Sequence, residues 1–202
     1  METIQPESQI QPEPVAEQPA NWKRFVLDIL ETLVLAVVLY FGINAVSARV
    51  RVDGFSMRPT LQDGEYILVN KLAYKTGEAH RGDIVVFIFP VDPTEDLIKR
   101  VIGLPGESVA VHSGVVSVNG VPLTEPYIAS PPAYDDEWIV PDGQLFVLGD
   151  NRNDSRDSHQ WGFLPIENVI GRAVLVYWPP KEWQVINHNL QNFVLQKSLS
   201  SK

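Results

Sequence analysis

An uncharged apolar run, Leu33 to Val46, sets the first constraint on this chain. Extended back through Phe25, Val26, Leu27, Ile29 and Leu30, it reaches the ~20 residues that a bilayer-spanning helix needs. Asp28 and Glu31 interrupt its first part. Charges are costly at bilayer depth, so both belong near the interface or against a partner. The uncharged portion is apolar all round, unlike a helix that lies on a membrane surface with one polar face. The sequence therefore predicts one transmembrane helix over residues 22–48. Lys23 and Arg24 precede it and Arg49 and Arg51 follow it, so the positive-inside rule nearly ties and assigns no orientation.

The flanks differ from this segment. Residues 1–21 are rich in Gln, Glu and Pro, too polar to begin a signal peptide, and are expected to be disordered. Residues 49–180 carry short β-branched and aromatic runs bounded by turn residues. Strands are expected at 66–70, 83–89, 97–102, 115–118, 145–148 and 168–178. Asn119-Gly120 marks a hairpin, and Pro179-Pro180 stops the last strand. Ala129 to Asp142 reads as an exposed loop, and no long helical period follows residue 50. The expected fold is mainly β, an irregular sandwich or barrel after a single N-terminal helix. Residues 181–202 read as a polar C-terminal tail or a short helix.

Composition removes several function classes. A formal net charge of −9 argues against nucleic acid, whose binders present a basic face. The absence of cysteine excludes a disulfide framework, a thiol nucleophile and a zinc–thiolate site. The four histidines show no metal-ligand spacing, so no metal is expected.

What remains for chemistry is Ser, Thr, Asp, Glu, Lys and His. Gly54-Phe55-Ser56-Met57-Arg58-Pro59-Thr60-Leu61 follows the apolar segment closely. Pro59 biases Arg58 away from helix, and Gly54 permits backbone conformations that a larger residue resists. Such a turn can present the Ser56 hydroxyl in one fixed position, although most turn serines are only that. A Ser-His-Asp triad lacks good candidates: His80 is in a polar turn, His112 in a hairpin and His188 in the tail. His159 alone lies in a dense polar cluster, Gly149 to His159, which serves equally as a hydrogen-bonded loop or a site. Lys99 stands among Leu97, Val101 and Ile102 on an otherwise apolar strand. Alternation puts Lys99 and Arg100 on opposite faces, so one of them is expected to point inward. A desolvated lysine loses proton affinity and can accept a proton from a serine hydroxyl. The alternative is an edge-strand lysine that snorkels to water.

Taken together, four blocks in order resemble the bacterial type I signal peptidases, membrane-anchored serine proteases that remove signal peptides from exported proteins. They are Ser56 to Leu61, Gly82 to Phe87, Lys99 to Glu107, and Gly149 to Ser158 with Trp161-Gly162. The resemblance covers residues 22 to 180. It implies that Ser56 is the nucleophile and Lys99 the general base, with the Ser56 N–H in the oxyanion hole. It further implies that Ser155 orients the lysine and that Asp157 and Asp150 support the site through arginines such as Arg100. Met57 and Gly54 would face substrate. Gly54 takes a place where some members carry a hydroxyl donor, and His159 a place where many carry an arginine. The implied partners are signal-peptide-bearing preproteins and membrane lipid. The implied enzyme needs no cofactor and no nucleic acid. It is expected to act as a monomer, with its N-terminus cytoplasmic and its catalytic domain on the export side. The competing readings are an anchored β-domain that binds peptides without cutting them and a self-cleaving transcriptional repressor. The repressor would need a DNA-binding helical domain where this chain has an apolar helix.

Overall fold

In the structure, a computed structural model, residues 22–188 are described. The expectation of a disordered segment over 1–21, and that of a tail over 189–202, lie outside them. The chain divides after Phe41 into two units. Helix α1, Trp22–Val46, has no buried residue along its 25 positions. At 1.5 Å per residue it is about 38 Å long, against roughly 30 Å of bilayer hydrocarbon. It ends two residues before the expected boundary because Ser47–Arg51 enters a β ladder instead.

From there the chain is built of short antiparallel strands. They are β1 (Ser47–Arg51), β2 (Tyr66–Asn70), β3 (Ile84–Ile88), β4 (Asp96–Gly103), β5 (Ser108–His112) and β6 (Val115–Val118). They continue with β7 (Val121–Pro122), β8 (Asp136–Ile139), β9 (Gln144–Leu148), β10 (Leu164–Pro165), β11 (Val169–Trp178) and β12 (Gln184–Val185). The larger sheet runs β1-β2-β11-β3-β4-β9-β10, with β12 added beside β11. The smaller sheet runs β7-β6-β5-β8. The fold is mainly β as expected, but neither sheet closes, so it is an irregular pair of open sheets and not a barrel.

Three apolar clusters hold the sheets. One covers a face of the larger sheet, where Ile67, Val69, Ile84, Val86, Ala173 and Val176 meet Val52, Met57 and Leu61 from the β1–β2 connection. A second packs Val85, Phe87, Val101, Leu145, Val147 and Leu164 on the opposite face. The third joins Ile102, Phe146 and Leu148 to Val109, Val111, Val116 and Val118 of the smaller sheet. Strands β3 and β4 are therefore covered on both faces, as in the middle of a layered sheet. This overturns the expectation that only one of Lys99 and Arg100 points inward: each is 2% exposed.

Two further expectations give way. The stretch 129–142 is not all loop, because Asp136–Ile139 pairs with β5. Its charged first half hides the strand from a reading by apolar runs. Nor is the chain after Lys181 a tail throughout: β12 pairs with Leu175 and Val176 of β11, and Ile186 is buried. His188 reaches the buried Asp83, with Nδ1 3.7 Å from its carboxylate and accepting the Ile84 N–H at 3.2 Å. Burial lowers the His188 pKa.

Candidate active site

The connection between β1 and β2 is a loop tied at its base and pinned at its tip. Val52 N–H donates to the Glu65 carbonyl at 2.7 Å, and Gly64 N–H to the Val52 carbonyl at 2.9 Å. Gly54 has φ of 92°, a left-handed conformation that an L side chain resists, and its N–H donates to Asp63 Oδ1 at 2.8 Å. An added Cβ there would meet nothing within 4 Å, so glycine is required by the backbone and not by space. Met57 and Leu61 anchor the loop in the core. Ser56, between Gly54 and Met57, stays half-buried. Its carbonyl accepts the Asn151 N–H at 3.0 Å, and Asn151 Nδ2 donates to the Phe55 carbonyl at 3.2 Å. The serine loop is thus docked on the segment that follows β9.

Lys99 lies on β4 opposite Val85 of β3. Its Nζ is 2.8 Å from Ser56 Oγ and donates to the Ile98 carbonyl at 2.9 Å. Neither partner is a carboxylate. Burial lowers its pKa to about 8, Asp157 and Asp150 pull it upward, and Arg156 pushes it down. A cleft of about 70 Å³ opens beside both side chains. Val50, Val52, Gly54, Met57, Leu97 and Ile98 wall it, with Arg51, Asp53 and Asp96 also lining it. The expected substrate-facing residues Met57 and Gly54 both line this cleft, and Met57 is also part of the core.

The other face of β4 carries a different cation. Arg100 donates from Nε to Asp150 Oδ1 at 2.8 Å and from Nη2 to Asp150 Oδ2 at 2.6 Å. Its Nη1 donates to the Gly82 carbonyl at 3.0 Å. Thr60 donates its hydroxyl to the same Asp150, which ties the serine loop to this ion pair. Tyr127 lies over the Arg100 guanidinium at 4.1 Å and near Arg152 at 5.8 Å, and Arg152 forms a buried bidentate pair with Glu125. Thr60, Glu125, Tyr127 and Arg152 were not legible as site neighbours. Tyr127 stands 27 residues beyond Arg100 with no pattern linking the two.

Asp157 is held by His159. It is bonded to no arginine: Oδ1 lies 2.6 Å from His159 Nδ1 and accepts the His159 N–H at 3.3 Å, while Oδ2 accepts the Gly149 N–H at 2.8 Å. His159 thus stands beside Asp157 at the place where, by the resemblance, many members carry an arginine. Ser155 differs from its expected role. Its Oγ is buried without a hydrogen-bond partner, and the Lys99 amine is directed to Ile98 and Ser56 instead. Gly149 separates these groups, and an added Cβ would collide with Ser155 Oγ and the Ser56 carbonyl oxygen. This glycine heads the polar block seen in the sequence, but nothing in the sequence marks it as the spacer between two serines.

Comparison with known proteins gives the arrangement a context. Residues 23–178 match the family described as signal peptidase, peptidase S26. A probable signal peptidase I-2 of Synechocystis sp. is 46% identical over 164 residues, covering 76% of this chain and 73% of that protein. The signal peptidase I of Leptolyngbya laminosa is 44% identical over 182 residues, covering 83% of this chain and 86% of that protein. A crystal structure of a signal peptidase I from Enterococcus faecalis aligns with a TM-score of 0.44 at 34% identity, over 47% of this chain and 96% of that one. The described residues hold one helix long and apolar enough to cross a membrane, in keeping with a single-pass membrane protein. The match over 23–178 and these identities settle the family: this chain belongs to the signal peptidases, peptidase S26, hydrolases that remove signal peptides from preproteins.

Proposed function

We propose that Ser56 and Lys99 carry out the cleavage as nucleophile and general base. The observation that carries this reading is the 2.8 Å separation between Lys99 Nζ, on a side chain only 2% exposed, and Ser56 Oγ. An amine with a pKa near 8 is partly neutral at mild alkaline pH, and its lone pair then faces the serine hydroxyl. The Ile98 carbonyl accepts one of the remaining N–H groups and fixes the amine's direction.

The reaction proceeds by acyl transfer. Lys99 Nζ takes the Ser56 Oγ proton as Oγ attacks the carbonyl carbon of the scissile peptide. The resulting ammonium protonates the leaving α-amine as the C–N bond breaks. Neutral Lys99 then deprotonates a water molecule, which displaces Ser56 from the acyl-enzyme. Family resemblance assigns the Ser56 N–H to the developing oxyanion. Gly54 offers no side-chain donor beside it, so the hole has a single strong donor from this loop. An extended peptide with small side chains suits the shallow cleft beside Met57 and Ile98.

The layout that goes with this chemistry has helix α1, Trp22–Val46, as the membrane segment and the β-strands from Ser47 through β12 as the catalytic domain on the export side. The N-terminal acidic segment stays in the cytoplasm. The enzyme works as a monomer at the lipid surface on preproteins and without nucleic acid. The test is cleavage of a preprotein by the purified full chain in lipid or detergent. Wild type is expected to cut at the signal sequence boundary, with kcat/KM rising with pH through about 8, and Ser56→Ala is expected to be inactive. Undiminished cutting by Ser56→Ala refutes the assignment.

A further inference from the structure

His159 is a titratable side chain held from two directions. Its Nδ1 is 2.6 Å from Asp157 Oδ1, and its ring stacks on Tyr134 with centroids 4.2 Å apart and planes 10° from parallel. Tyr134 comes from the connection between β7 and β8, and that connection is stapled to the loop after β9. Ala133 N–H donates to Asn153 Oδ1 at 2.8 Å, and Asn153 Nδ2 donates to the Pro131 carbonyl at 2.9 Å. The imidazole is thus clamped between two segments that approach from different parts of the chain. On its far side, Asp157 holds the Gly149 N–H, and Gly149 is wedged against Ser155 and the Ser56 carbonyl.

We propose that His159 is a positioning residue for the Ser56–Lys99 chemistry. Its Nδ1–H donates to Asp157, which fixes that carboxylate beside Gly149, where it acts on Lys99. The inference rests on the Ser56–Lys99 reading above. The electrostatics follow from the neighbours. Asp157 is the largest opposing charge acting on Lys99, and it raises a proton affinity that burial depresses. A permanent guanidinium at the same position would form an ion pair with Asp157 and weaken its hold on the Lys99 proton.

The groups around the imidazole are few. Its own loop supplies Asp157, and the connection below its ring supplies the Tyr134 phenol, whose pKa burial raises. Arg152 and Glu125 act on that phenol from behind. Beyond Asp157 stand Lys99, Arg156 and Asp150. A purely structural histidine would serve only to brace Asp157 at the start of the short helix Ser158–Trp161. Its loss would lower stability and activity together, with no change in the pH at which activity sets in.

The test is the pH dependence of preprotein cleavage by the full chain in lipid, with melting temperature measured on the same samples. His159→Arg is expected to move the acid limb of kcat/KM to lower pH by about half a unit to one unit. His159→Leu, with no donor, is expected to lower kcat about tenfold with KM little changed. His159→Asn, whose amide can take the place of Nδ1–H, is expected to recover most of that loss. An acid limb in His159→Arg that coincides with wild type overturns the proposal. So does a loss of activity in Leu and Asn variants alike that tracks their melting temperatures. Wild-type cleavage that is insensitive to Ser56→Ala would instead remove the reading beneath it, so the two failures are distinguishable.

Discussion

Lys99 and Arg100 are neighbours on one strand, equally buried, and treated in opposite ways by the fold. Arg100 faces a carboxylate in a bidentate pair, a backbone carbonyl and an aromatic ring. Its charge is fully compensated. Lys99 has a hydroxyl and one carbonyl within hydrogen-bond reach, and the carboxylates that stabilise its charge act without touching it. The fold keeps one cation charged and makes the other give up its proton near pH 8. Burial alone does not decide the fate of a basic side chain; the supply of direct acceptors does.

The sharpest way to break this contrast is to exchange the chemistry. Lys99→Arg puts a group that never deprotonates where a base is needed. Its kcat/KM is expected to fall about 10³-fold or more in preprotein cleavage. On the opposite face, Arg100→Leu leaves Asp150 buried and without its partner. Chemical denaturation is expected to show about 3–5 kcal/mol of lost stability, the usual cost of breaking a buried pair from one side. Lys99→Met should have the reverse sign. The fall from lysine's ordinary 10.5 to about 8 corresponds to about 3 kcal/mol of native-state penalty. Because the folded value lies below the unfolded one, the penalty is present in full below pH 8 and disappears as pH rises to 10.5. Lys99→Met is therefore expected to melt at higher temperature than wild type at pH 7, with the gain shrinking over that window. The smallest effect belongs to Arg156, an exposed residue that pairs with Glu95 and lowers the Lys99 proton affinity. Arg156→Ala is expected to shift the acid limb of activity to higher pH by less than about half a unit, since solvent screens exposed charges.

The same contrast explains what could be read from the sequence. The strands around β3 and β4 were legible because Ile84 to Ile88, and Leu97 to Ile102 apart from Lys99 and Arg100, are apolar or β-branched and end at turn residues. Ser56 and Lys99 stood out as a nucleophile type in a constrained turn and a cation in an apolar run, and the ordered blocks tied them together. The double burial of Lys99 and Arg100 was not legible, because alternation predicts two faces but does not tell whether the second is covered. β8 was hidden by Asp136 and Glu137. The β12 return was hidden by the prolines before it, which announce an end but not a reversal. The Tyr134–His159 stack and the Tyr127–Arg100 contact join residues through space only, so no spacing rule reaches them.

The strand order has a consequence for the timing of synthesis. The serine loop springs from β1 and β2, the lysine sits on β4, and the ladder between them runs through β11, Val169–Trp178. A ribosome that has released only the first 160 residues has already supplied both Ser56 and Lys99, but not the strand that bridges their halves of the sheet. Until that late strand is made, the two halves are held together only by loop contacts such as Thr60–Asp150 and Asn151–Ser56, and its insertion completes the sheet beneath them.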